Sequence, residues 1–266
     1  MNILQFSLLT NAGCAGGCKF CSLSIDSEAN RETSTSPQDF QRAFEDAEAA
    51  GARLELVFPT VGANDRDVTN LLSDMQPIIK AFPHVELAIN PGICTKRDFY
   101  DKLLEFGIHR YRNNLECSRR LFRELVPKRP LAQEVKLVSL HMAQEAGLKA
   151  DTGWLCGLGE NKDDIKDIVE LMNIAKPDSI TMNYFDPDER AEDFEYTTPS
   201  LATGLDMLNT VKHHFPETEI TLGGAYELWL GENAEQHIPV SGKYVGRFLD
   251  HGLQEEAKQA RKVSAC

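Results

Sequence analysis

The sequence predicts an α/β protein folded as a single TIM-type (βα)8-like barrel. Short apolar runs of strand type alternate with amphipathic helical stretches, as repeated βα units with parallel strands require. Seven or eight such units fit within 266 residues, the length of one barrel rather than of an open sheet with extra domains. A chain of this size buries roughly three quarters of its unfolded surface and holds a core without covalent staples. Hydrophobic residues make up 42% and charged residues 26%, which excludes disorder for most of the chain.

The predicted strands are Ile3–Leu9, Leu54–Phe58, Val85–Ile89, Ile108–Arg112, Lys149–Leu155, Ser179–Tyr184 and Glu219–Leu222, with Ile238–Val240 as a weak eighth. A helix over Pro37–Ala50 opens after Ser36, a good N-cap. The pattern Asp67–Phe82 contains Pro77, which predicts a kink or a break. Helices Thr95–Phe106 and Leu131–Ala146 end at Gly107 and Gly147, each suited to the left-handed position that closes a helix. Lys162–Ala175, Ser200–Phe215 and Lys243–His251 complete the set. The acidic, proline-bounded segment Asp186–Pro199 reads as a long loop, and no interdomain linker is evident. The expected organisation is a barrel over residues 1–253 and a polar tail over 254–266.

The formal net charge of −13 argues against nucleic acid or an anionic membrane as a general partner, because phosphate binding needs basic surface. Apolar stretches such as Leu54–Pro59 are far too short to span a bilayer. Met1–Thr10 lacks a basic leader, so a cytoplasmic protein is expected. Thiols stay reduced there, so the seven cysteines are not expected to form a disulfide framework; some should be ligands or core residues, and Cys266 a solvent-facing tail residue.

Cys14-Ala-Gly-Gly-Cys18-Lys-Phe-Cys21 follows the first strand directly. Three thiolates in one short loop can hold three irons of a [4Fe–4S] cluster. Gly16 and Gly17 let the loop bend and turn amide groups toward the sulfurs. Zinc sites usually come as two cysteine pairs, and no second pair exists here. An iron with no local cysteine would remain open to a chelating ligand.

This spacing, with an aromatic residue before the last cysteine, resembles the radical S-adenosylmethionine (SAM) superfamily. Two more segments resemble its biotin synthase group, which includes methylornithine synthase and the hydrogenase cofactor maturases. Thr152-Gly-Trp-Leu-Cys-Gly-Leu-Gly-Glu160 ends the fifth strand, and Asn113-Asn-Leu-Glu-Cys-Ser118 ends the fourth. The resemblance covers roughly residues 5–250. It implies a radical SAM barrel whose cluster, held by Cys14, Cys18 and Cys21, binds SAM through its amino and carboxylate groups. Reductive cleavage of SAM then yields a 5′-deoxyadenosyl radical that abstracts hydrogen from substrate. The resemblance also implies that Asn114 and Glu116 bind the SAM ribose and that Leu155 packs on adenine. Thr60 and Gly62, after the second strand, would present backbone to the SAM amino group. Met182 and Asn183, with Tyr184, would touch adenine. Lys136 aligns with an arginine that holds the SAM carboxylate, an ordinary solvated lysine being the alternative. An electron donor such as flavodoxin or ferredoxin is an implied partner.

Biotin synthase carries a second cluster on three cysteines and an arginine. The matching places here hold Phe58, Ala88, Asp151 and Tyr226. Cys94, Cys117 and Cys156 remain as candidates for a different auxiliary site. Strand alternation turns Cys117 and Cys156 away from the face of Glu116 and Leu155, which favours plain core cysteines. The same alternation puts Arg110, Arg112, Asn114 and Glu116 on one face. Two arginines at a barrel mouth suggest an anionic small-molecule substrate or the SAM carboxylate, and a structural ion pair is the alternative. Asp151, Tyr184 and Tyr226 are further substrate candidates, with Asp186, Glu227 and His237 at later strand ends. The expected chemistry is a rearrangement, lyase or cofactor-maturation step with one cluster. Sulfur insertion of the biotin or lipoyl type and a non-catalytic iron–sulfur protein are the alternatives.

Overall fold

Eight parallel strands, hydrogen-bonded in chain order, close into a barrel in the computed structural model, which describes residues 3–10, 14, 16–24, 36–58, 65–129, 131–231, 234 and 238–248. They are β1 (Ile3–Leu9), β2 (Arg53–Val57), β3 (Leu87–Asn90), β4 (Arg110–Arg112), β5 (Lys149–Cys156), β6 (Ser179–Tyr184), β7 (Glu219–Leu222) and β8 (Gly242–Phe248). The helices are α1 (Pro37–Ala50), α2 (Asp65–Ala81), α3 (Arg97–Glu105), α4 (Arg119–Leu125), α5 (Ala132–Ala146), α6 (Lys162–Ala175), α7 (Leu201–His214) and α8 (Tyr226–Leu230).

Local chemistry explains most of these boundaries. Ser36 and Asp39 form a reciprocal capping box at the start of α1, and Gly51 ends it in the left-handed conformation. Asn161 and Asp164 repeat the device at α6. Helix α1 buries Phe40, Ala43, Phe44 and Ala47, the single stripe that a 3.6-residue period produces. Helix α2 runs through Pro77 without ending there. Short helices α4 and α8 have too few residues to show a period, and the sequence pattern does not reveal them. Ser118 caps α4, while Arg120 reaches Asp164 on α6 at 2.6 Å.

One element differs in kind. The expected eighth strand at Ile238–Val240 lies instead at Gly242–Phe248, where a helix from Lys243 was expected. Strand β8 pairs with β1 over Ile3–Leu8 and with β7 through Thr221 and Leu222. Without it both edges would present unpaired backbone groups, so ring closure overrides local helical preference. The tail expected over 254–266 lies outside the described residues, as do Thr60, Gly62 and His237. Among the described residues no helix is long and apolar enough to cross a membrane.

Charge fills the lower barrel interior. Arg110 donates to both oxygens of Asp151, at 2.8 and 2.6 Å. Arg112 donates to Glu55 at 3.3 Å, and Gln5 donates to the same oxygen at 3.0 Å. Arg53 joins Glu219 and Glu86 at 2.7 and 3.0 Å. These groups sit near the strand N-termini, below the mouth of the barrel that the βα loops build.

Candidate active site

A cavity of about 480 Å³ opens at the strand C-termini, and Cys14, Cys18 and Cys21 share its wall with Asn114, Glu116, Lys136, Leu155 and Asn183. The cysteine loop folds on itself: Cys14 N–H donates to Leu23, Cys21 N–H to Cys18 and Ser24 N–H to Cys21. Gly17 takes a left-handed φ of 62°, the bend expected of it. Phe20 docks the loop on a small apolar cluster with Leu121, Phe122, Leu125, Leu158 and Phe185. That contact gives the aromatic residue before Cys21 a packing role.

Burial pushes the Cys14 thiol up, against the Gly16 amide and the Lys136 and Arg129 charges that favour its thiolate. Burial also pushes Cys18 up, with the neighbouring Cys21 thiol adding to the shift. Among the described residues no three His, Cys, Asp or Glu side chains converge as ligands of a single ion. Thiolates on separate corners of a cubane need not converge, and the donor set suits a [4Fe–4S] cluster better than zinc.

Glu116 reaches the cavity through a turn in its backbone. Its φ is 69°, and strand pairing holds it there: its N–H donates to Gly153 and its carbonyl accepts from Leu155 at 2.6 Å. A non-glycine residue in this region is strained by about 1 kcal/mol or more, a mark of a site that places a side chain deliberately. Lys136 donates to the Asn114 carbonyl at 2.6 Å and to the Glu116 carboxylate at 3.3 Å. Burial pushes the Glu116 carboxyl up, opposed by Lys136.

Asn114 Oδ1 is buried and has no hydrogen-bond partner. Leaving an acceptor so costs about 1–3 kcal/mol unless a ligand donates to it. A pair of ribose hydroxyls would satisfy Asn114 Oδ1 and Glu116 together, so these residues fit such a ligand. A Cβ on Gly153 would lie 2.7 Å from Asn114 Oδ1 and 3.1 Å from Asn183 Nδ2, so this glycine leaves room for both amides.

The Gly157-Leu-Gly-Glu160 segment has a structural role. Both Glu160 oxygens accept from Gly157 N–H at 3.1 Å, and one accepts from Trp154 Nε1 at 3.3 Å. Gly157 has φ 101°, and a Cβ there would meet the Trp229 ring at 2.4 Å. Gly157→Ala is expected to cost about 3 kcal/mol, from backbone strain plus overpacking. Gly51→Ala, with φ 59° and open space around it, should lose only about 1 kcal/mol. Denaturant midpoints would compare the two; equal losses would mean that Trp229 gives way freely.

Several sequence-predicted residues fall elsewhere. Arg110, Arg112 and Asp151 do not line the cavity; their charges are matched within the lower barrel, the structural alternative. Met182 is fully buried in the main core, because alternation along β6 sends Asn183 to the cavity and Met182 to the helix layer. Tyr184 touches the cavity wall, but its hydroxyl donates away to Gly204 at 3.2 Å. Tyr226 lies on α8, after β7, packed in the core with its hydroxyl on Glu227 rather than in the cavity wall. Cys156 joins the main core and Cys117 the small cluster under Phe20. Cys94 is buried 3.5 Å from Asp65, its pKa pushed up to about 12 by burial. Arg129, Asn90 and Asp186 also line the cavity. Of these, sequence reading placed only Asp186 at a strand end, and the other two sit in no recognisable pattern.

Chemistry-bearing side chains from separate βα loops, gathered at the mouth of a parallel barrel, define a barrel enzyme with its cysteine loop in the active site. The sequence model of the radical SAM superfamily matches residues 8–172, and the chain belongs to that superfamily. Its members use a [4Fe–4S] cluster and SAM. A biotin synthase from Corynebacterium urealyticum is 26% identical over 255 residues, covering 94% of this chain and 74% of that protein. Biotin synthase 1 from Corynebacterium diphtheriae is 26% identical over 245 residues, covering 91% and 69%. Two solved structures share the fold. The FeFe-hydrogenase maturase HydG from Carboxydothermus hydrogenoformans has a TM-score of 0.77 at 17% identity, covering 99% of this chain and 67% of that one. Methylornithine synthase (PylB) has a TM-score of 0.75 at 15% identity, covering 99% and 82%.

Proposed function

We propose that this chain abstracts hydrogen from a small polar substrate with a single cluster, in a rearrangement, lyase or cofactor-maturation reaction. Cys14, Cys18 and Cys21 would hold the cluster, which with SAM would supply one-electron reductive chemistry at the cavity. Asn114 and Glu116 would accept from the SAM ribose, Leu155 would pack on adenine, and Lys136 orients Glu116 and partly offsets the burial that raises its carboxyl. Arg110 and Arg112, which suggested an anionic substrate, are neutralised by Asp151 and Glu55, so the reading keeps a small polar substrate without that charge.

The observation that carries the single-cluster reading is the ion-paired barrel interior. Arg110 with Asp151 and Arg112 with Glu55 are ion-paired in the barrel interior, and the resemblance implies that Asp151 stands where the biotin synthase group has a cluster ligand. Anaerobic reconstitution should therefore yield about four irons per chain. Sulfur insertion is the second reading, favoured by the biotin synthase relatives. It requires further ligands and about six to eight irons, a count that would overturn the single-cluster reading. Cytoplasmic location and a flavodoxin- or ferredoxin-type donor belong to the same proposal.

A further inference from the structure

The segment between β6 and α7 meets the cysteine loop at one atom. The Lys19 carbonyl, between Cys18 and Cys21, accepts from the Ala191 N–H at 2.7 Å and from the Glu192 N–H at 3.1 Å. On its other side the Lys19 N–H donates to the Leu125 carbonyl at 3.0 Å. Both backbone groups of Lys19 are thus held from outside the loop. The gripping segment is itself braced. Arg190 donates to Asp193 at 2.8 Å and to the Pro187 carbonyl, and its guanidinium lies over the Tyr196 ring, 5.9 Å from the ring centre. Phe194 and Tyr196 pack against the small apolar cluster that holds Phe20. Thr197 N–H donates to the Gly157 carbonyl at 2.9 Å. A Cβ on Gly159 would lie 3.0 Å from the Glu195 carbonyl oxygen, so this glycine leaves the segment its path. Residues 190–197 therefore tie the cysteine loop to the end of β5.

A trans peptide points its N–H away from its carbonyl. With the Lys19 carbonyl held by residues 191 and 192, the Phe20 N–H faces the opposite way, and among the described residues no group accepts it. Amide hydrogen bonds to sulfur help to set how easily an iron–sulfur cluster is reduced. We propose that Ala191 and Glu192, braced by Arg190, are positioning residues for the cluster site: their amides fix the turn between Cys18 and Cys21 and leave the Phe20 N–H as a donor to sulfur. This rests on the reading of Cys14, Cys18 and Cys21 as cluster ligands. The role is one of orientation, and no covalent bond forms or breaks in it.

Ala191→Pro removes the shorter of the two hydrogen bonds to Lys19. Arg190 already has φ −71° and ψ 148°, the conformation preferred before proline, so the exchange adds no strain there. Ala191→Ser keeps the N–H and is the conservative control. Residue 191 does not line the cavity. In the apoprotein, iodoacetamide should alkylate Cys18 and Cys21 about tenfold faster in Ala191→Pro than in the wild type, the effect of losing one to two hydrogen bonds. After anaerobic reconstitution, a chelator should strip iron from that variant about tenfold faster. Its reduced cluster should show a lower midpoint potential and a changed electron paramagnetic resonance spectrum. Ala191→Ser should match the wild type in every measurement. Arg190→Ala keeps all the amides but loosens the segment, so it should fall between; it carries the test if circular dichroism shows the proline variant unfolded. A loop that serves stability alone would lower the thermal midpoint and leave potential and spectrum unchanged, which overturns the proposal. Equal alkylation rates in the wild type, Ala191→Pro and Arg190→Ala overturn it as well. A wild type that takes up no iron strikes the cluster-ligand reading instead, while the alkylation rates, which need no cluster, still decide whether residues 191 and 192 hold the cysteine turn.

Discussion

Cys18→Ala is expected to abolish dithionite-dependent 5′-deoxyadenosine formation, by about a thousandfold or more, while leaving the barrel folded. Cys18 is half-buried on the cavity wall and lies next to Cys21, so on the proposed reading its loss removes the middle one of three cluster ligands. A thousandfold loss corresponds to about 4 kcal/mol in the barrier. The side chain contributes only partial contact to the small cluster under Phe20, so stability should fall by about 1 kcal/mol or less. Iron content and the visible absorbance of the reconstituted cluster should drop with activity, while far-ultraviolet circular dichroism stays at the wild-type level. Cys117→Ala is the informative contrast. That thiol is fully buried away from the cavity, so its loss should cost stability by about 1 kcal/mol and spare the chemistry. Wild-type cluster content and product in Cys18→Ala would sink the assignment of the loop.

Asp151→Ala should produce the largest loss of stability. Asp151 is fully buried, accepts two hydrogen bonds from Arg110 and lies 3.9 Å from Arg112. Removing it leaves guanidinium charge in the barrel interior without its main partner, which costs about 3–5 kcal/mol. Exchanging both partners, in Arg110→Met/Asp151→Leu, removes the charges together and should recover most of that loss. Urea unfolding of the three variants measures this directly. A single-variant loss under about 1 kcal/mol would mean that the neighbouring Glu86 and Glu219 already satisfy Arg110.

The cavity side chains divide into those that local rules reach and those that they do not. The cysteine spacing and the glycine bend follow from short-range pattern, because neighbours in sequence share one loop; Asn114 and Glu116 do meet in the cavity, but β4 ends at Arg112 and Glu116 arrives by a left-handed turn, not by strand alternation. Alternation also placed Cys117 and Cys156 away from the cavity. The same rule, carried along β6 from Asn183, separates Met182 from it. Tyr226 follows β7 as expected, but there the chain turns into α8, whose packing draws the side chain into the core.

The alternation of βα units, the helix cap at Ser36, the cysteine loop and membership of the family are all legible in the residues alone. Each depends on residues a few positions apart, where backbone geometry leaves little choice. Where the barrel closes, which arginines meet which acids and how α4 comes to lie against the cysteine loop follow from the folded chain alone. Arg53 and Glu219 pair across 166 residues, and β8 is a strand because β1 and β7 need a neighbour. Such partners are chosen by ring closure and by the cost of an unpaired charge or amide, and these act between residues that no local pattern connects.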